Sequence, residues 1–285
     1  MRAKINKSLD LNKLYEDQAK GELLKKILQF PLIASTKYDG NYVVVRRQDG
    51  RTTYLTSGGL DYIHADDCTT FDNVVDGIYL AERIGGLGKL GDRTKCNLRG
   101  PKVAQTSTGH SYMVFDFITL EDYAKGKTSI PYIDRLVTLQ HSGVNLINIV
   151  ATRTINNKEE LDDTLKVVIN NGYEGLMLAS LDWKWNDSKS RKVNFCKYKK
   201  RRTADLLVID TNEGEGKYEG MVGSLVLTDS RGTICSVGSG LGDGDRLRSD
   251  WVGKVVEIKY EQIIDTYIQP TFIRVRDDKT DKDID

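Results

Sequence analysis

The chain has 285 residues, of which 29% are charged and 39% hydrophobic, and its formal net charge is +1. This balance indicates a folded protein of one or two domains and excludes the strongly basic, chromatin-type nucleic-acid binders. It leaves room for a basic face opposite an acidic one. Four separated cysteines predict neither a disulfide framework nor a zinc site. No apolar stretch is long enough to span a bilayer and no apolar leader is present, so we expect a cytoplasmic protein without membrane contact.

The first half of the chain predicts one helix and then strands. An apolar stripe at positions 23–28 indicates a helix within the first 30 residues that ends near Pro31. Runs of β-branched and aromatic residues then predict strands at 42–46, 78–82 and 112–116. A second helix is predicted to begin at Asn157, with Glu160 three residues later as in a capping box, and to stop at 171–172. A further strand is predicted to start at position 174.

The composition changes at residues 197–202, where five of six side chains are cationic. Such a segment predicts a linker or a contact strip between a first domain, residues 1–201, and a second one, residues 202–285. Five short β-runs follow, which predict a small barrel of the OB-fold type; they lie at 206–209, 224–227, 233–237, 255–259 and 272–276. The last six residues predict a polar, frayed end.

Lys37-Tyr38-Asp39-Gly40 is the first candidate for chemistry. A lysine amine attacks only after it loses a proton, and the pKa of an ordinary lysine is about 10.4. Neighbouring cations or burial must therefore favour the neutral form. Gly40 permits a tight turn that brings the backbone close to a ligand. The tetrapeptide is short, and a surface turn is the alternative interpretation.

Other charged residues are candidates for a phosphate or metal site. Glu82 and Glu174 lie beside apolar strand residues, where a carboxylate needs a partner such as a metal ion. Lys197 and Lys199 alternate along an extended segment, so both can contact one phosphate. For the two glutamates the alternative is an exposed strand face, and for the two lysines it is a solvated linker.

The C-terminal segment is more specific. Arg274 and Arg276 alternate with apolar residues, and Asp278-Lys279 follows closely. Basic residues on one strand face suit the outer phosphates of a triphosphate. An edge strand protected by charge is the alternative.

In this order, from about Ile33 to Lys279, the motifs resemble those of the covalent nucleotidyltransferases, and within them the small ATP-dependent DNA ligases of viral and phage type. The resemblance implies an α+β fold: a nucleotidyltransferase (ATP-grasp-like ligase) domain of antiparallel sheets with helices, followed by a C-terminal OB-fold β-barrel. It also implies a monomer that acts on nicked duplex DNA. ATP is expected rather than NAD, because the extra N-terminal module of NAD ligases is absent.

The resemblance carries roles onto individual residues. Lys37 would take AMP on its side-chain nitrogen, and Asp39 would contact the nick. Glu82 and Glu174 would hold Mg²⁺ or Mn²⁺. Phe115 would stack on adenine, Lys197 and Lys199 would contact the α-phosphate, and Arg276 and Lys279 would orient pyrophosphate during self-adenylation. The implied nucleotide contacts are thus Ser35, Glu82, Phe115, Lys197, Lys199, Arg276 and Lys279.

Three positions depart from the pattern of many ligases. Ser35 stands where a glutamate near the adenine is common, and Tyr42 and Gly58 stand where arginines contact phosphate. Arg46, Arg47 or a basic loop residue are candidates to replace those arginines. An mRNA-capping guanylyltransferase, which shares the lysine and the C-terminal motif, is the nearest alternative, and a non-catalytic OB-fold DNA-binding protein is another.

Overall fold

The computed structural model describes residues 7–10, 27–56, 59, 69–85, 87–89, 110–187, 191–199, 202–263 and 265–285. The chain divides into two compact units, residues 1–200 and 201–285. The strands of the first unit are β1 (Lys7–Asp10), β2 (Leu32–Lys37), β3 (Asn41–Gln48), β4 (Arg51–Thr56), β5 (Gly77–Gly85), β6 (His110–Ile118), β7 (Thr152–Ile155), β8 (Gly175–Ser180) and β9 (Arg191–Lys199). The helices described there are α1 (Leu120–Lys125), α2 (Tyr132–Gln140) and α3 (Lys158–Asn170).

The strands of the first unit form two sheets. One has the order β1-β9-β8-β2-β7 and the other the order β4-β3-β5-β6. All pairings in them are antiparallel except that of β1 with β9. Antiparallel sheets with a few helices confirm the predicted α+β class. Among the described residues, no helix combines the length and apolar character needed to cross a membrane.

The valine run of β3 shows why two layers of core form. Val43, Val44 and Val45 are fully buried. Because successive side chains of a strand point to opposite faces, Val44 packs between the two sheets with Ile33 and Leu80. Val43 and Val45 pack on the other face of their sheet, in a separate core. Continuous apolar residues are therefore required here, since both faces of the strand are covered.

Helix α3 begins where the sequence predicts. The side chain of Asn157 accepts a hydrogen bond from the backbone N–H of Glu160 at 2.9 Å, which confirms the N-cap. The Glu160 carboxylate reaches past the cap residue and accepts from the backbone N–H of Asn156. Leu161 is buried against Leu176 and the rest of the core beneath β8. The helix thus covers the outer face of the first sheet.

Two local predictions differ from the structure. Residues 7–10, assigned to an N-terminal helix, form strand β1 and pair in parallel with β9; most of the predicted stripe at 23–28 lies outside the described residues. Residues 197–199, assigned to a linker, form the end of β9 and pair with β8. In both cases the backbone N–H and C=O groups form hydrogen bonds with a strand that is distant in sequence. This tertiary pairing outweighs the preference of the local composition.

The second unit is a small β-structure with its own core. Its elements are β10 (Arg202–Glu213), β11 (Val222–Thr228), β12 (Ile234–Val237), α4 (Asp243–Arg246), β13 (Val255–Tyr260), β14 (Gln262–Ile263), β15 (Tyr267–Ile268) and β16 (Thr271–Val275). Five strands form a sheet in the order β12-β11-β10-β13-β16. The backbone N–H of Phe272 donates to Ser239 O at 2.9 Å and so links the two ends of this sheet. The predicted OB-type fold is confirmed.

The end of the chain is docked rather than frayed. Asp285 Oδ2 accepts from the backbone N–H of Asp205 at 2.6 Å, and the Asp285 N–H donates back to Asp205 O. The Ser230 N–H also donates to Asp285 O. A polar tail can therefore be ordered when its own polar groups complete those of a neighbouring strand.

Asp229 makes the stability of the second unit sensitive to acid. Burial alone would raise the pKa of this carboxylate, but hydrogen bonds from Thr233, Arg231 and Tyr267 lower it to about 2. A depressed pKa adds stability above the unfolded-state pKa of about 3.9, and that stability is lost as the pH falls towards 2. We expect Asp229→Asn to lower the melting temperature most at pH 7, with a gap to the unmodified protein that closes between pH about 4 and 2. A gap independent of pH in thermal melts would contradict this.

Candidate active site

Three strands of the first sheet bring charged residues from distant segments into one row. Lys37, at the end of β2, lies opposite Gly175 of β8. Gly175 in turn lies opposite Lys199 of β9. Glu174, which precedes Gly175, therefore lies between two lysines. Gly175 has a φ of +153°, and a Cβ there would lie 2.4 Å from Tyr198 O, so only glycine permits this close pairing.

The row is a shared ion pair. Lys37 Nζ donates to Glu174 Oε2, and Lys199 Nζ contacts Glu174 Oε1. The Glu174 side chain is only 8% exposed, and burial by itself would raise its pKa. The two lysines more than offset that effect and hold the pKa of Glu174 below its usual value. A carboxylate that stays ionised thus orients the amine of Lys37.

The next row lies two residues further along the same face. Ser35 of β2 is opposite Met177 of β8, and Met177 is opposite Lys197 of β9. Because side chains two residues apart in a strand share a face, this row continues the surface that carries Lys37. Ser35 is buried, with 8% of its surface exposed. The structure therefore places four of the predicted residues, Ser35, Lys37, Lys197 and Lys199, on one face of one sheet, and the Glu174 side chain contacts two of them.

A cavity of about 170 Å³ opens beside Lys37, between the two sheets of the first unit. Ser35, Lys37 and Met177 line it from the first sheet, and Glu82 and Phe115 line it from the second. Further lining residues include the aromatic side chains Tyr132, Trp183, Trp185 and Phe195. A cavity with apolar walls and a few polar groups at one side is typical of a site for a planar, heterocyclic ligand.

A buried ion pair fixes the cavity walls. The Arg135 guanidinium donates to both oxygens of Asp116 at 2.8 and 2.9 Å. It also donates to Trp183 O at 3.0 Å. Because Asp116 follows Phe115 directly, Arg135 connects the Phe115 wall to the Trp183 wall. Sequence reasoning did not single out Arg135, and no local pattern distinguishes it from a surface arginine.

Tyr42, where ligases often carry arginine, belongs to the cavity wall. Its ring lies 6.1 Å from that of Phe115. Burial, together with nearby Tyr123, Asp116 and Glu82, raises the pKa of the phenol well above its usual value. Tyr42 is thus an uncharged aromatic neighbour of Phe115 at a position where many ligases carry a positive charge. Gly58, the other substituted position, lies outside the described residues.

Asp39 and Gly40 lie where the chain turns from β2 to β3. The Asp39 N–H donates to Gly88 O at 3.0 Å. A Cβ on Gly40 would lie 2.4 Å from Arg83 O of β5. The glycine therefore lets the turn approach strand β5, a close approach that the sequence interpretation assigned to a ligand.

Arg276 and Lys279 lie in the second unit. Arg276 Nη1 donates to both oxygens of Asp205 at 2.9 Å, and Lys279 Nζ donates to Asp205 Oδ2 at 2.6 Å. Arg276 Nε and Nη2 also contact Asp278. The predicted cations therefore lie side by side on one carboxylate.

The comparisons with known proteins found family matches in both units. Residues 14–199, more than half of the chain, match the ATP dependent DNA ligase domain, and residues 213–276 match the DNA ligase OB-like domain. The chain belongs to the ATP-dependent DNA ligase family. The first match lies within the first unit and the second match lies within the second unit.

Individual relatives are more distant. The DNA ligase of Enterobacteria phage T4 is 24% identical over 209 residues, which cover 65% of this chain and 42% of that protein. A probable DNA ligase of Persephonella marina is 27% identical over 248 residues, which cover 76% of this chain and 41% of that protein. The chain thus spans less than half the length of these relatives. A solved structure from work on DNA binding by Lig E DNA ligases shares the fold, with a TM-score of 0.72, 20% identity and coverage of 97% of this chain and 99% of that one.

Proposed function

We propose that this ligase seals nicks with a 3′-hydroxyl and a 5′-phosphate in duplex DNA, using ATP and a lysyl-AMP intermediate. The carrying observation is that Lys37 shares Glu174 with Lys199 beside a cavity with aromatic walls. The amine of Lys37 as nucleophile, the cation of Lys199 for a phosphate and a cavity for the adenine ring are therefore adjacent. We also propose that the protein acts as a monomer in the cytoplasm of a bacterial or phage-infected cell, in keeping with the sources of its relatives.

In the first step the ammonium of Lys37 gives up one proton to solvent, the resulting amine attacks the α-phosphorus of ATP, and the nitrogen releases a second proton as the new bond forms. A bond forms between nitrogen and phosphorus, the bond to the bridging oxygen breaks, and pyrophosphate leaves. Glu174 orients the amine, and Lys199 and Lys197 balance the charge that develops on the α-phosphate. Phe115 offers a ring for stacking on adenine, and Ser35 lies at the same cavity wall. Arg276 and Lys279 orient the leaving pyrophosphate.

In the second step an oxygen of the 5′-phosphate at the nick attacks the phosphorus of the lysyl-AMP, the nitrogen–phosphorus bond breaks, and the Lys37 amine takes up a proton. In the third step the 3′-hydroxyl loses its proton and attacks the phosphorus of the DNA 5′-phosphate, the phosphodiester forms, and AMP leaves. Asp39 supports these steps by contacting the nick. The resemblance to the motifs of ATP-dependent DNA ligases supports these two steps and the role of Asp39. Asp39 also lies two residues after Lys37, in the turn that follows β2.

A divalent metal fits the donor set of this site. Glu82 lines the cavity and Glu174 lies beside Lys37, and both offer the oxygen donors that Mg²⁺ prefers. Within the described ranges, no three His, Cys, Asp or Glu side chains lie close enough together to hold a metal ion. Phosphate oxygens and water would complete the coordination, as is usual for Mg²⁺ at nucleotides. Bound Mg²⁺ or Mn²⁺ supplies charge neutralisation at the phosphates.

Two assays test the proposal. The first incubates the protein with α-labelled ATP or GTP and measures covalent label, and the second measures sealing of a nicked DNA duplex with ATP and Mg²⁺, beside the same nick in RNA. We expect label from ATP and sealing of DNA. Preferential label from GTP would instead indicate a capping guanylyltransferase. Absence of any covalent label would indicate a non-catalytic DNA-binding protein.

Glu174→Gln tests the shared ion pair. The amide keeps the shape of the side chain but leaves Lys37 and Lys199 without a common counter-charge. We expect the rate of self-adenylation to fall by about 10²-fold, because the amine loses its orientation. The measurement is the initial rate of label transfer from α-labelled ATP.

The matched control for Glu174→Gln is Glu121→Gln, which removes a carboxylate from an exposed pair with Lys125 on α1. It should label at the rate of the unmodified ligase, because exposed pairs contribute little. Equal rates for both glutamine variants would contradict the role of Glu174.

A further inference from the structure

Strand β10 carries a buried carboxylate, Asp205, that belongs to none of the sequence motifs. Its side chain is 12% exposed. It accepts two bonds of 2.9 Å from Arg276 Nη1 and one of 2.6 Å from Lys279 Nζ. One carboxylate therefore sets the spacing of the two cations proposed to orient pyrophosphate.

The backbone holds this carboxylate in place. Asp205 lies in the middle of the β10–β13 pairing, opposite Glu257. Its N–H and C=O are both bonded to Asp285. The side chains of arginine and lysine are long and lose considerable rotational entropy when they are ordered. Because Asp205 on β10 already orders Arg276 and Lys279, their rotational entropy is lost during folding and not when a ligand binds. This is preorganisation of the binding site.

The other edge of the guanidinium has a different partner. Arg276 Nε and Nη2 contact Asp278 at 2.9 and 2.7 Å, and the Asp278 side chain is 66% exposed. This two-pronged edge matches the geometry of a phosphate as well as that of a carboxylate. An exposed ion pair is weak, so phosphate can replace Asp278 more readily than it can replace buried Asp205.

We propose that Asp205 is a positioning residue for self-adenylation, holding Arg276 and Lys279 side by side so that together they take the pyrophosphate portion of ATP. The inference rests on the proposed ligase function. Pyrophosphate takes part in the first step only. Loss of Asp205 should therefore slow the transfer of AMP to Lys37 and leave the later sealing step unchanged.

The test compares Asp205→Asn with Glu257→Gln in the full chain. Glu257 is the cross-strand neighbour of Asp205, and its ion pair is with Arg274, which is 63% exposed. The control thus removes the same charge from the same sheet. Three quantities are measured: the rate of labelling by α-labelled ATP, the rate of sealing of a nick that already carries AMP, and the melting temperature.

We expect Asp205→Asn to slow labelling by about 10²-fold, the scale of misplacing a positioning contact, while sealing of the adenylylated nick stays within about threefold. The concentration of pyrophosphate that releases AMP from the adenylylated protein should rise as well. Glu257→Gln should alter none of these. If the asparagine variant does not fold, Asp205→Glu is measured instead, because it keeps the charge but displaces both cations. It should slow labelling by less than about 10²-fold and leave sealing of the adenylylated nick unchanged.

Three results would overturn the proposal: labelling at the unmodified rate, faster labelling, which would make Asp205 a competitor of phosphate, or equal slowing of labelling and sealing. The unmodified ligase separates this inference from the proposed function. If the unmodified protein neither labels nor seals, the proposed function fails; if it does both and Asp205→Asn labels normally, only the role of Asp205 fails.

Discussion

Lys37→Arg is expected to abolish the covalent AMP adduct and to lower nick sealing from ATP by roughly 10⁴-fold or more, the scale of removing a covalent nucleophile. Arginine keeps a cation beside Glu174, so the shared ion pair with Lys199 is largely preserved. A guanidinium does not lose its proton in proteins and cannot act as the nucleophile. The measurement combines label from α-labelled ATP with sealing of a nicked duplex.

The same variant carries its own control. A nick whose 5′-phosphate already bears AMP bypasses Lys37, so Lys37→Arg should still seal it. Lys125→Arg, in an exposed pair on α1, should behave as the unmodified protein in both assays. Normal labelling of Lys37→Arg would place the nucleophile elsewhere in the chain.

Asp116→Ala or Arg135→Met is expected to cost about 3 to 5 kcal/mol in the free energy of unfolding, because each change leaves one buried charge without its partner. Both side chains are almost completely buried, at 0% and 2% exposure. Arg135 also donates to Trp183 O. The loss should therefore appear in chemical denaturation of the whole chain and also as weaker ATP-dependent labelling, since the Phe115 and Trp183 walls of the cavity are no longer joined.

The double variant distinguishes this pair from general core damage. Removing both charges together should cost less than the sum of the single changes, since no uncompensated charge remains. Lys166→Met, which breaks the exposed pair with Asp163 on α3, serves as the surface control and should cost less than about 1 kcal/mol. Additive losses from Asp116→Ala and Arg135→Met would contradict a coupled pair.

Features that depend on near neighbours along the chain were predictable. The strands at 42–46, 78–82 and 112–116 and the five β-runs of the second unit all lie within or largely within observed strands. The N-cap at Asn157 was also correct. Alternating side chains and capping groups act over a few residues, so sequence alone determines them. The order of the short motifs likewise indicated the family before any geometry was known.

Features that depend on pairing between distant segments required the tertiary structure. Lys37 and Glu174 are separated by 137 positions and meet only because β2 and β8 pair in one particular register. Residues 7–10 became a strand because β9 offers them a partner. Neither local propensity nor periodicity encodes such pairings, since strand register is set by the whole buried face.

The contrast is sharpest for the charged residues. The motifs predicted roles for Lys37, Glu174, Arg276 and Lys279, but they indicated neither the ion pair between Glu174 and Lys37 nor the part of Asp205. Asp205 lies 71 residues from Arg276, and Asp116 lies 19 residues from Arg135. An isolated carboxylate in a sequence looks the same whether it is solvated or buried. Burial decides its energetic importance, and burial is a property of the assembled fold.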